Sequence, residues 1–427
     1  SSGGWSLLHI TALYDRLDVA QALVEVGADI DKAKDDGRTP LLIASENSHV
    51  EAARLLVEAG ADIDKARDGG ATPLFIASQQ GHVEVTRVLI GAGAGIDKAK
   101  DNGATPLLIA SQQGHVDVTR LLIKAGAGID KPQDDGITPL LMASQRGHVE
   151  VTRLLIEAGA NIDEAKDNGA TSLFVASEDG HVDVVRLLTE AEADIDKAKD
   201  DGWTPLHIAS EKGHVDLARL LIEAGADIDK AADSGATPLF IASQKGHVEV
   251  TRLLIEAGAD IDKTKDNGAT PLLIASQDGH VDVTRLLIEA GAEIDKAMDD
   301  GATPLFVASR QGHVDMARLL IESGAEIDKA KDNGWTPLLI ASCKGHVEVT
   351  RLLIEAGAYI DKARDGGATP SYIASHYGHV DVAKLLIEAG ADIDKAKDNG
   401  VTPLYIASQN GYMEVARLLI ESGAGID

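Results

Sequence analysis

Twelve threonines stand 33 residues apart along this chain: Thr39, Thr72, Thr105, Thr138, Thr171, Thr204, Thr237, Thr270, Thr303, Thr336, Thr369 and Thr402. A fixed period of this length, held without insertion, restricts the fold more than any other feature, because each period must be one supersecondary unit stacked on the next. Every threonine but Thr171 is followed by proline, and Ser6 stands one period before Thr39, opening an earlier, degenerate unit. With threonine at position 5, units begin at residues 2, 35, 68, 101, 134, 167, 200, 233, 266, 299, 332, 365 and 398. The 427 residues therefore read as one array of thirteen units over 1–427, with no linker, low-complexity stretch or second domain.

Unit 101–133 shows the local logic. Asp101-Asn102-Gly103 is turn chemistry, since Gly accepts positive φ and Asn or Asp tolerates it. Thr105 is placed to cap a helix, with Pro106 at its first position, where a missing N–H costs nothing. The pattern predicts a first helix to about Gln113, a left-handed Gly114, and a second helix from His115 or Val116 to about Ala125, ended by Gly126. Helices of about ten residues do not persist alone in water. Leu107, Ala110, Val118, Leu121 and Leu122 form an apolar set that one hairpin cannot cover and a stacked neighbour can. The sequence thus predicts an all-α repeat solenoid.

These residues resemble the ankyrin repeat. The family pattern of Gly-x-Thr-Pro-Leu, Ala, Gly-His, Leu-Leu and Gly-Ala is matched by Gly103, Thr105, Pro106, Leu107, Ala110, Gly114, His115, Leu121, Leu122, Gly126 and Ala127, and recurs over the whole chain. The resemblance implies helix-turn-helix units with β-turn fingers set at right angles to the helices. It also implies a curved array that binds proteins on its concave side, through fingertips and first helices. The chain departs from the family in several places. The family's His after Thr-Pro-Leu survives only as His207, and as His9 in the degenerate unit; Leu42, Phe75 and Tyr372 stand there elsewhere. Lys34, Lys100 and Lys166 replace an Asp common before the finger, and Asp130 replaces a loop Asn. Ser172 replaces Pro, Glu192 replaces a helix-ending Gly, and Ser371 replaces a core Leu, so units 167–199 and 365–397 are expected to fray first.

The recurring polar residues are spaced for structure, not for a reactive site. His49, His82, His115, His148, His181, His214, His247, His280, His313, His346 and His379 form a ladder. Stacked helices lie about 8–10 Å apart, whereas metal ligands must lie about 2.0–2.1 Å from one ion. The histidines are therefore read as structural donors to backbone, and no metal is predicted. Triplets such as Glu150, Arg153 and Glu157 are helix-surface pairs, not split-pKa carboxylates. Cys343 is the only cysteine, with no His and Asp pair to activate it; His376 is one unit along. No Gly-Lys-Ser or Gly-Lys-Thr follows the glycines. The reading is of a protein that is not an enzyme and needs no cofactor.

Bulk features bound the setting. A hydrophobic share of 44% suits a packed core, and aromatics at 3% make that core aliphatic. A single cysteine, no apolar run near membrane length, and an opening Ser1-Ser2-Gly3-Gly4 without basic flank or apolar stretch predict a soluble intracellular, cytoplasmic protein with no direct membrane insertion. The net charge of −29 argues against nucleic acid and admits protein partners with basic or extended segments.

Positions that vary between units carry individual information. Position 4, read as the fingertip, is mostly Ala but holds Trp5, Arg38, Ile137, Trp203, Trp335 and Val401, including all three tryptophans. Positions 12 and 13 also vary, as in Gln145-Arg146, Glu178-Asp179, Glu211-Lys212, Gln244-Lys245, Arg310-Gln311, Cys343-Lys344 and His376-Tyr377. Because Trp, Tyr and Arg are enriched at binding hot spots, two candidate groups follow. One is Trp203 with Arg146, Asp179, Lys212 and Lys245; the other is Trp335 with Arg310, Lys344, His376 and Tyr377. Arg38 and Ile137 are further candidates. The expected function is a monomeric protein-interaction scaffold. The alternatives are a structural spacer, about 100 Å long at about 8–10 Å per unit, and the targeting arm of a larger protein. The last unit stops at Asp427 before its period is complete, as a fragment would.

Overall fold

Thr105 Oγ1 accepts the N–H of Leu108 at 3.2 Å, and the helix Pro106–Gln113 starts there; Gly114 ends it at φ 74°. The second helix runs Val116–Lys124, and Gly126 follows at φ 86°. In this computed structural model, which describes residues 3–426, the same pair recurs to give twenty-six helices and no strand among the described residues; an isolated β-bridge joins Ala165 and Thr171. Loss of proline at Ser172 does not move the helix start, because Thr171 still caps Phe174 N–H.

The chain forms two compact bodies, Ser1–Ala209 with Glu223–Ala226, and Ser210–Ile222 with Asp227–Asp427. Each is built alike: first helices pack on first helices of neighbouring units, second on second, and each pair packs internally. In the first body Leu107, Ala110, Val118 and Leu122 have no solvent exposure, while Leu121 is half-buried at the edge. In the second, Leu305, Ala308, Met316 and Leu320 merge with Leu338, Ala341, Val349 and Leu353 into one continuous cluster. Each fully buried Leu contributes about 1.5–3 kcal/mol.

The finger turn closes between Lys100 and Gly103, with Gly103 N–H donating to Lys100 O at 2.9 Å and Lys100 N–H to Ala104 O at 2.9 Å. The exposed tip is therefore Asp101-Asn102. This corrects the reading of position 4 as the fingertip: position 4 is on the returning side, and its alanines, such as Ala71, Ala104 and Ala170, are buried. Fingers join one another through single backbone bonds, such as Asp134 N–H to Asn102 O at 3.1 Å.

Two polar ladders lock units together. Histidine Nε2 of one unit lies 2.8–3.1 Å from a first-helix carbonyl of the unit before: His115 on Gln79, His148 on Gln112, His247 on Glu211 and His379 on Cys343 are examples. A carbonyl only accepts, so Nε2 carries the proton. The ring lies against the preceding left-handed glycine, and a Cβ on Gly114 would stand 2.7 Å from the His148 ring. The loop aspartates form the second ladder. Asp130 accepts the N–H of Asn161 at 3.0 Å, Asp163 that of Asp194 at 3.0 Å, and Asp328 that of Tyr359 at 3.0 Å. Lysines one residue on reach back across the same joint: Lys65 Nζ donates to Asp31 O at 2.9 Å, and Lys131 pairs with Asp97 at 3.0 Å. The irregular residues sit where the pattern demands glycine or leucine. Asp15, Ser48 and Glu192 hold φ of 50°, 61° and 63°. Ser371 is buried with its hydroxyl unpartnered.

Candidate functional site

The variable residues lie on the first helices and the inner sides of the fingers. Position 13, at the end of the first helix, is exposed at Arg146 and Asp179 in the first body and at Lys212, Lys245, Lys344 and Tyr377 in the second. Position 12, as at Arg310, Cys343 and His376, is half-buried. The first candidate group is divided between the two bodies, with Arg146, Asp179 and Trp203 on one and Lys212 and Lys245 on the other.

The tryptophans are half-buried. Trp203 and Ile137 pack against a cluster of Leu141, Ala170, Phe174, Val175 and Ile208, and the Trp203 ring lies 5.8 Å from that of His207. Trp335 packs with Cys343 and Val401 against Leu339, Ala368, Tyr372, Ile373 and Ile406. These rings thus cover the apolar side of the first helices as well as facing solvent. Where the family His is present it bonds the start of its own first helix, and His9 also reaches the next unit: His207 Nδ1 accepts the N–H of Thr204 at 3.1 Å, His9 Nδ1 accepts the N–H of Ser6 at 2.9 Å, and His9 Nε2 lies 3.0 Å from the Arg38 carbonyl.

Several candidates already have partners. Arg38 pairs with Asp36 at 2.8 Å and Glu46 at 3.0 Å; the hydrogen bond from its guanidinium holds the Asp36 carboxyl well below the usual carboxylate range. Lys245 pairs with Glu211 at 3.3 Å, and Arg310 donates to Gln277 Oε1 at 3.3 Å.

The second body brings part of the second candidate group together and adds residues the sequence reading passed over. The Arg364 guanidinium lies 5.1 Å from the Trp335 ring, and Lys397 Nζ lies 5.4 Å from Tyr372. Tyr372 stacks on His376 at 6.2 Å, and His376 meets Tyr377 edge-on at 4.7 Å. The nearby Cys343 sulfur, burial and a Cys343 hydrogen bond push the Tyr377 phenol above its ordinary value; burial does the same to Tyr372. Both phenols stay neutral near pH 7. The basic last residue of a unit recurs over an aromatic ring of that unit: Lys34 over Trp5 at 4.1 Å, and Lys199 over Phe174 at 5.1 Å. The signal was present as Lys or Arg at position 33 together with an aromatic at position 4 or 8.

Among the described residues no three His, Cys, Asp or Glu side chains converge as a metal site, and no helix is long and apolar enough to cross a membrane.

Short helix pairs joined by β-turn fingers and stacked unit on unit define a helical-repeat protein. The chain matches the family profile of ankyrin repeats (3 copies) over residues 1–67, 64–133, 125–199, 193–265, 258–331, 295–364, 323–397 and 361–427, and it belongs to the ankyrin-repeat family. Ankyrin repeats are in general protein-interaction modules, and proteins built from them are typically non-enzymatic scaffolds. A solved structure of the human ASB11 ankyrin repeat domain is similar at 26% identity and a TM-score of 0.49, covering 53% of this chain and 100% of that one. No curated protein matches.

Proposed function

We propose that residues 1–427 form a single array of thirteen ankyrin units that binds a protein, through an extended segment, on the finger and first-helix surface. The observation that carries this is where the variation lies. Scaffold positions repeat nearly unchanged, while Arg146, Asp179 and Trp203 in one body, and Lys212, Lys245, Arg310, Trp335, Lys344, His376 and Tyr377 in the other, lie on first helices or the inner finger. Arg38 and Ile137 belong to the same surface. A structural spacer would have no use for such variation. The acids of the second helices and loops, within a net charge of −29, favour partners carrying basic stretches and disfavour nucleic acid. The reading is of a monomeric, cytoplasmic scaffold without catalytic activity.

The test is affinity capture from source-cell lysate with the native chain and with a variant carrying Trp203→Ala, Lys212→Ala, Trp335→Ala and Tyr377→Ala, checked for fold by circular dichroism. Partners held by the native chain and lost by the folded variant support the proposal. Identical partner sets remove these residues from the surface, and empty sets favour the spacer.

A further inference from the structure

Within the second body, one stretch of the first-helix surface gathers cationic and aromatic side chains. At positions 4, 8, 12 and 13, units 299–331, 332–364 and 365–397 carry no carboxylate, and they present Arg310, Trp335, Lys344, Tyr372, His376 and Tyr377. Lys331, at the near edge, is neutralised by Asp300. Lys344, Arg364, His376 and Lys397 have no carboxylate within ion-pair distance among the described residues. A guanidinium lying on an indole face with no ion-pair partner is held in a fixed plane, from which its outer N–H groups can take a planar anion through two parallel bonds.

We propose that the tract of Trp335, Lys344, Arg364, Tyr372, His376 and Tyr377 takes an acidic side chain, Asp or Glu, of the partner's extended segment, with an apolar neighbour of that residue covering the exposed aromatic edges. The proposal rests on the interaction reading above and names what one part of that surface selects. Arg364 grips the carboxylate, Trp335 fixes the plane of the guanidinium, and the half-exposed Tyr377, at 47%, supplies ring face and a neutral hydroxyl. The chain's acidic field does not prevent this at physiological salt, where the Debye length is about 8 Å and charges farther away are screened.

The test uses a fluorescein-labelled twelve-residue peptide of Gly, Ser and Lys with a central Glu-Phe, and matched peptides with Gln or Lys in place of that Glu. Binding to the full chain is read by fluorescence anisotropy at 150 mM salt. The Glu peptide should bind at least tenfold tighter than the Gln or Lys peptide. Arg364→Gln should weaken it about tenfold and Tyr377→Ala about threefold, with unchanged helicity. Equal affinity for the three peptides, or Glu binding indifferent to Arg364→Gln, overturns the assignment. A phosphoserine peptide that binds where the Glu peptide does not also overturns it. Should lysate capture succeed while the Glu peptide fails, only this assignment falls; loss of both removes the interaction reading as well.

Discussion

Replacing Ser371 by Leu should stabilise the unit around it, and the size of the effect can be worked from the stack. Its counterparts Leu305 and Leu338 are 0% and 1% exposed, and Ser371 itself is 1% exposed, so the position is as deep as theirs. Its counterparts Leu305, Leu338 and Leu404 belong to one apolar cluster with Ala341, Ala374 and Val382. Burying a Leu there contributes about 1.5–3 kcal/mol. Removing a buried hydroxyl with no partner relieves about 1–3 kcal/mol. Inward relaxation around the small serine opposes both, by about 1–3 kcal/mol if neighbours must be pushed back. The net expectation is about 2 kcal/mol of local stability, from the cited burial, desolvation and overpacking costs. A long repeat array does not unfold in one step, so the assay is native-state hydrogen exchange of amides in 365–397 and the adjoining units. A gain of about 2 kcal/mol slows exchange there about thirtyfold. The reverse change, Leu305→Ser, should speed exchange in 299–331 by at least as much. Unchanged or faster exchange in Ser371→Leu would refute the premise that this site keeps the shape of its neighbours.

Three further outcomes follow from the same geometry. Glu192→Gly should slow exchange in 167–199 by about 1 kcal/mol, because Glu192 holds φ 63° where only glycine is unstrained; no change would show that the strain is relieved elsewhere. Gly114→Ala should cost at least about 2 kcal/mol in local exchange, since the methyl group is strained at φ +74° and also meets the His148 ring; a cost near zero would mean that the ring moves freely. Burial holds the His9 imidazole below its ordinary 6.5, so the unfolded chain protonates first. Stability from neutral His9 is complete above about pH 6.5 and is lost as pH falls from there through the lower folded value. Urea titration followed by Trp5 emission, with Trp203 and Trp335 replaced by Phe, should therefore give a lower midpoint at pH 5.5 than at pH 7.5; an equal or higher one contradicts the assignment.

Local chemistry is where sequence reasoning reached furthest. Thr105 with Pro106 starts a helix because a side-chain cap and a fixed φ act within four residues, and the observed helix Pro106–Gln113 begins and ends where those residues require. Glu192 in place of glycine enters the left-handed region because the helix end demands it whatever the side chain. The recurring histidines were legible as backbone donors, since their spacing across the stack forbids a shared ion. The carbonyl that each one reaches was not legible.

The 33-residue period, with its caps and turn residues, determined by itself that this chain is a stack of short helix pairs, because neither helix can bury its apolar face alone. Tertiary structure alone decided what meets what between units. His148 finds Gln112 O, and Asp130 finds Asn161 N–H, only once stacking has set one unit's offset on the next. Position 4 proved to be the inner side of the finger because the backbone pairing of Lys100 with Ala104 closes the turn before it. Arg364 lies over Trp335, 29 positions away, for the same reason: a local pattern specifies each element, while packing in three dimensions sets the distances between side chains far apart in the chain.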